Sequence, residues 1–227
     1  MPWLHSRSSR CVQKIFPKKR VAVLISGRGS NLAALLDAAA DPTYPASIVL
    51  VVANRADAAG LALAEAAGVE TRLLLPGDFP KDRHAYDAAL HQLLLEHRID
   101  LVCLAGFMRL LTAKFATSWW GKMLNIHPSL LPAFKGLHAQ QQALEAGVKL
   151  AGCTVHLVSA EMDAGPIVAQ TAVPVLDDDT EESLSQRILA AEHGCYPKAL
   201  AWLASDRLLI TKQKVQVMPH NEQSTIW

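Results

Sequence analysis

Asn125 and His127 are placed to polarise a carbonyl. They alternate by two in Asn125-Ile-His-Pro-Ser129, so on an extended segment both side chains point to one side. An amide donor and an imidazole converging there could stabilise the oxyanion formed when a nucleophile adds to a carbonyl carbon. The plain alternative is a satisfied loop histidine beside an asparagine bonded to the backbone. Asp163, in the turn Asp163-Ala-Gly-Pro166, could pair with His127, orient the ring and raise its proton affinity. Turn aspartates more often bond their own backbone, and spacing alone does not bring Asp163 to His127.

A second group is Gly27-Arg-Gly-Ser-Asn31, between an apolar run and a helical stripe. Glycines let a backbone approach an anion, and a helix N-terminus offers unpaired N–H groups and a positive dipole end. Gly29, Ser30 and Asn31 could therefore hold a phosphate, or Ser30 and Asn31 could simply cap the helix. A dinucleotide fits less well. Leu32 stands where the third glycine of that fingerprint belongs, and Asn54, not an acid, ends the second strand. No P-loop Lys-Ser/Thr, G-x-S-x-G elbow or zinc spacing is present. His138 and His156 could line the same cleft as His127. His84, His91 and His97 read as helix-surface residues.

The elements that must position these groups follow from periodicity. Apolar runs at 20–25, 47–53, 69–75, 100–105 and 122–126 read as strands, and i, i+3, i+4 stripes between the early runs read as helices. Alternation of this kind implies an α/β, Rossmann-like, mostly parallel twisted sheet with helices on both faces. Runs 151–158 and 167–175 lie too close for a crossover helix, so an antiparallel strand pair is expected toward the C-terminal half. Asp179 with Glu182 suggests a capping box for a late helix, which Pro197 should kink or interrupt. Residues 212–227 are polar without a stripe and should be frayed.

Composition excludes other classes. The chain has 227 residues, 51% hydrophobic and 19% charged, which argues against disorder. Cysteines at 11, 103, 153 and 195 are too scattered for a disulfide framework and suit a reducing, cytoplasmic setting. The net charge of +1 is a sum of unlike parts: residues 1–20 carry six basic residues and no acid, leaving −5 on the rest. An acidic body disfavours nucleic acid as a partner, and no apolar run is long enough for a membrane span. The basic segment 1–19 is expected to be a disordered extension, whether for targeting or not, and deleting 1–18 should leave activity unchanged.

Four segments together resemble one family. Val23-Leu-Ile-Ser-Gly-Arg-Gly-Ser-Asn-Leu32, Leu104-Ala-Gly-Phe-Met-Arg-Leu-Leu111, Leu124-Asn-Ile-His-Pro-Ser-Leu-Leu-Pro132 and Met162-Asp-Ala-Gly-Pro166 are similar, in order, to the phosphoribosylglycinamide formyltransferases. The resemblance implies formyl transfer from 10-formyltetrahydrofolate to the amine of glycinamide ribonucleotide, in de novo purine (IMP) biosynthesis. It implies that Asn125, His127 and Asp163 are the catalytic trio. Gly29, Ser30 and Asn31 would hold the substrate phosphate and Glu192 would contact the ribonucleotide. Arg83, Met108, Arg109, Leu110, Leu111 and Asn125 would contact folate, with Leu104 and Val158 beside the pterin; no metal is implied. One formyltransferase domain is expected over 20–211, with a phosphate-binding half (20–105) and a folate and catalytic half (106–211). The segment 154–163 is the candidate for closing over folate. Ala133 and Gln140 depart from the residues common in the family. A monomer or homodimer remains open. So do two other readings, a formyltetrahydrofolate hydrolase and a non-catalytic phosphometabolite-binding protein. Related formyltransferases of tRNA, and the hydrolases, carry a further domain that this chain is not expected to contain.

Overall fold

Residues 21–25, 50–53 and 101–104 are apolar and buried throughout, as strands of a sheet covered by helices on both sides must be. In the computed structural model, which describes residues 17–80 and 82–219, the order is regular. It runs β1 (Lys19–Ile25), α1 (Ser30–Ala40), β2 (Ala46–Ala53), α2 (Gly60–Ala66), β3 (Glu70–Leu73) and, after a 3₁₀ turn, α3 (Arg83–Glu96) and β4 (Leu101–Leu104). Then follow α4 (Ala113–Ser118), β5 (Met123–His127), α5 (Ala139–Glu145), β6 (Leu150–Leu157), β7 (Ile167–Pro174), α6 (Glu181–Ala204), β8 (Leu208–Thr211) and β9 (Lys214–Val217). Seven strands form one sheet in the order β3-β2-β1-β4-β5-β6-β7, and β8 and β9 form a separate hairpin. β1 to β5 run parallel to one another.

Alternation along β1 divides the core. Val21, Val23 and Ile25 join α1 and α6 on one face, while Ala22 and Leu24 join α3 and α4 on the other. Strand order reverses between β1 and β4, the switch point where open α/β sheets bind ligands at the carboxyl ends of their strands. Tyr196 Oη ties α6 to that end, 2.9 Å from Leu104 O and 3.2 Å from Leu124 O, sharing one proton between them.

Several expectations need correction. The antiparallel pair β6–β7 is present, but β6 also runs antiparallel to β5. The third strand is shorter, and α4, capped by Thr112 Oγ1 on Phe115 N–H, was not foreseen. Pro197 does not interrupt α6, because the face around it is held by packing: Tyr196, Ala199 and Leu200 are fully buried. The capping box is Thr180 with Ser183; Asp179 instead pairs with Arg187. Residues 214–217 form β9 and are not frayed, since β8 gives their backbone a partner. The basic segment lies largely outside the described residues, but Lys19 opens β1 and pairs with Asp206, so the body starts one residue earlier. Thr154 to Leu157 belong to β6, leaving only 158–166 as the loop. Among the described residues no helix is long and apolar enough to cross a membrane.

Candidate active site

Register brings the first group together. In the antiparallel β5–β6 ladder Asn125 faces His156 and His127 faces Thr154, so four polar side chains share one sheet face. Leu124 and Ile126 turn the other way, into the core. His127 is buried, and its Nε2 lies 2.9 Å from Phe134 O. A carbonyl only accepts, so Nε2 carries a proton. His127 Nδ1 lies 3.5 Å from Asp163 Oδ2, so a second ring proton would face a carboxylate.

Asp163 is held for that contact. Its φ of 49° is left-handed, Gly136 N–H donates to its Oδ2 at 3.0 Å, and a side chain on Gly165 would overlap Leu157 O. Its other oxygen lies 3.7 Å from His156 Nε2. Asp163 therefore meets His127, as expected, and a second histidine as well. Burial, its largest influence, pushes the His156 pKa down. With Nδ1 donating to Leu157 O at 3.0 Å, Nε2 is left as the acceptor for Asn125 Nδ2–H at 3.1 Å. That bond fixes which way the Asn125 amide points and leaves its second N–H for a ligand. Thr154 Oγ1 donates to Ser129 O at 2.7 Å and accepts from Leu131 N–H at 3.0 Å, pinning the loop that presents Phe134 O.

The glycine loop after β1 is not capped by its serine or asparagine. The N-cap is Gly29 at φ 81°, and Ser30 and Asn31 are the first residues of α1 itself. Only glycine serves at position 29: a Cβ there would lie 2.7 Å from Gly60 Cα. The loop opens on a cavity of about 270 Å³ lined by residues 26–31, Arg55, Gly106 and Met108 among others. Asn31 Nδ2 donates to Glu192 Oε2 at 2.7 Å, joining α1 to α6, while Asn31 Oδ1 is buried without a partner among the described residues. Burial pushes the Glu192 pKa up, against a smaller opposing pull from the Asn31 bond.

The third segment, 106–112, is a loop held at four points. Ser26 Oγ accepts from Met108 N–H at 2.7 Å, and Asp87 Oδ2 accepts from Thr112 N–H at 2.7 Å. Arg83 Nη2 donates to Leu110 O at 2.8 Å, and the Arg109 guanidinium sits 3.9 Å from the Tyr86 ring centroid. In this state Arg83 and Arg109 thus position the loop. Met108 and Leu110 are exposed, and Leu111 and Val158 lie half-buried against the second core cluster with Leu104. His138 starts α5 at φ 56° and makes no hydrogen bond to the trio. Ser26, Tyr86, Asp87 and Thr154 were not singled out as site residues from sequence. Tyr86 was visible only as part of a helical stripe.

The family model for formyl transferase matches residues 19–200. The chain belongs to the formyl transferase family. It is 43% identical over 188 residues to the phosphoribosylglycinamide formyltransferase of Escherichia coli strain K12, covering 83% of this chain and 88% of that protein. It is 54% identical over 190 residues to the trifunctional purine biosynthetic protein adenosine-3 of Bos taurus, covering 83% of this chain. It spans only 19% of that longer relative. Among solved structures, glycinamide ribonucleotide transformylase 1 from Symbiobacterium toebii superposes with a TM-score of 0.86 at 50% identity, covering 89% of this chain and 95% of that one. The formyl transferase fold is thus the one described above, with the three loops after β1, β4 and β5 at one end of the sheet.

Proposed function

We propose that this protein transfers a formyl group from 10-formyltetrahydrofolate to the amine of N1-(5-phospho-D-ribosyl)glycinamide, a step of de novo purine biosynthesis. The interlocked set Asn125–His156–Asp163–His127, together with a cavity at the start of α1, carries this reading. A binding protein has no need of it. The folate supplies the formyl group when bound. The residues present fit it: Met108, Leu110, Leu111 and Val158 offer uncovered apolar surface on two loops that flank the trio, and loop backbone can serve a polar ring edge.

In this mechanism the Asn125 amide donates to the formyl oxygen as the amine adds and charge develops there, and His127 Nδ1–H, 3.5 Å from Asp163 Oδ2, shares its proton between that carboxylate and the same oxygen. Both donors are set before reaction, one by His156 and the other by Phe134 O. Asp163 stabilises the cationic imidazole and takes the proton released by the amine, directly or through a water, and the same proton goes to the folate nitrogen as its bond to the formyl carbon breaks and tetrahydrofolate leaves. Gly29, Ser30 and Asn31 hold the phosphate through the first-turn N–H groups, and Glu192 takes the ribose hydroxyls. No step needs a metal ion. The partners are small molecules, and the protein acts in the cytoplasm as a monomer or homodimer.

The test is folate release followed by absorbance, with and without glycinamide ribonucleotide. Product formed only with the amine is expected. Product formed equally without it would make the protein a hydrolase, and phosphate-ligand binding with no product would make it a binding protein.

A further inference from the structure

The cavity at the start of α1 poses an electrostatic problem. A phosphate monoester carries about −1.5 to −2 charge at neutral pH, while a helix N-terminus offers the equivalent of only about +0.5. The cavity lining contains two cationic residues, Arg28 and Arg55. Arg28 lies in the glycine loop, exposed and without a hydrogen bond among the described residues, so it must be ordered by any ligand it binds. Arg55 differs. It follows the end of β2, the strand paired to β1, so it stands beside the loop. Its Nε and Nη2 donate to the two oxygens of Asp57 at 2.9 and 2.7 Å, which fixes the guanidinium plane. That fork uses one edge. The other edge, Nη1 with the second Nη2 hydrogen, has no partner among the described residues and keeps the geometry that matches two phosphate oxygens. The same cavity is lined by Asn31, whose Oδ1 is buried without a partner among the described residues, an acceptor suited to a hydroxyl of the ligand and not to its phosphate.

We propose that Arg55, oriented by Asp57, is the side-chain cation that binds the substrate phosphate in this cavity. The proposal rests on the reading of the glycine loop as the phosphate site. Asp57 takes the inner role of a clamp: it lowers the ordering cost of the arginine and is itself no ligand. Arg28 contributes to the general field around the cavity and makes no required contact.

The experiment compares glycinamide ribonucleotide with its unphosphorylated ribonucleoside as acceptors, in the full-length protein and in the Arg55→Ala, Arg55→Lys and Arg28→Ala variants. Arg55→Ala is expected to lower kcat/KM for the ribonucleotide about ten- to a hundred-fold, as loss of a hydrogen bond to a charged group does. The effect should lie mainly in KM and be absent for the ribonucleoside. Arg55→Lys should recover only part of it, because a lysine has charge but no fork. Arg55 is 61% exposed at its side chain, so these variants should fold. Equal loss on both acceptors would make Arg55 structural and overturn the proposal, as would a loss that follows Arg28→Ala instead. If the unaltered protein does not prefer the ribonucleotide, the glycine-loop reading itself fails. If that preference is intact and survives Arg55→Ala, only the role of Arg55 fails.

Discussion

His156 orients Asn125 by remaining neutral. Its Nδ1 proton is spent on Leu157 O, so only an unprotonated Nε2 can accept from Asn125. A second proton would set two N–H groups against each other and turn the amide away from the reacting oxygen. Burial lowers the His156 pKa, so the neutral ring persists to a pH below the ordinary imidazole value of 6.5. Two outcomes are expected. Asn125→Ala should lower kcat by about 10² to 10³, the usual cost of a missing oxyanion donor. His156→Ala should lower kcat less, with KM for both substrates nearly unchanged and a native circular dichroism spectrum. Steady-state kinetics of the pair checks this, and a His156→Ala enzyme with a larger defect in KM than in kcat would contradict it. Asn125 and His127 were readable from spacing, because a period of two is a local property of a strand. The meeting of Asp163 with His127 was open in spacing, since it depends on where a distant turn folds. His156 was only a cleft candidate, because the choice of β6 as antiparallel partner of β5 is tertiary.

At the scale of elements, glycines set the geometry of the phosphate loop and a cap sets the start of α6. Gly29 combines a left-handed φ with contact against Gly60, whose N–H also donates to Gly27 O at 3.1 Å. Gly29→Ala must therefore separate two backbones that now touch, and the left-handed conformation itself costs about 1–2 kcal/mol for a non-glycine residue. The expected outcome is a raised KM for the ribonucleotide, with folate binding changed far less, by calorimetric titration with each ligand. Thr180→Ala serves as the contrasting case. It removes the cap bond to Ser183 N–H, so about 1 kcal/mol of stability should go. That corresponds to a fall in Tm of about 2–4 °C for a domain of this size, with kcat unaltered. Parallel strands and amphipathic helices were legible because burial on two faces leaves an apolar run in the chain, and burial on one stripe leaves a period. α4 and β9 were not, since six and four residues are too few to show a period. Pro197 was read as a kink or a break, and the break does not occur, because packing of the buried face holds α6 continuous through it.

The whole molecule is nearly neutral, at +1, so its pH dependence is set by a few buried groups and not by the total charge. Glu192 is the informative one. It is 6% exposed, between α1 and α6, and burial raises its pKa above the ordinary 4.5 despite the Asn31 bond. Between 4.5 and its folded value, the native state keeps a proton that the unfolded chain has lost. The unfolded state then binds fewer protons, so stability falls as pH rises through that window and is level above it. Carboxylates whose pKa a partner pulls down, such as Asp179 by Arg187, Glu70 by His97 and Asp177 by Lys149, contribute in the opposite sense at lower pH, so the raw curve mixes them with Glu192. The difference between wild type and Glu192→Gln removes that mixture, because those carboxylates are the same in both. Glutamine keeps the shape and an acceptor for Asn31 Nδ2–H but carries no charge. Below pH 4.5 the two proteins should melt together; toward pH 7 the variant should melt progressively higher, while its kcat/KM for the ribonucleotide drops. Such a gain in stability with a loss in activity is what a charge kept buried for a ligand predicts. Thermal melts from pH 4 to 8 measure it, and a wild type that holds its Tm against the variant across that range would sink the idea that Glu192 is an ionisable group held in reserve for the substrate.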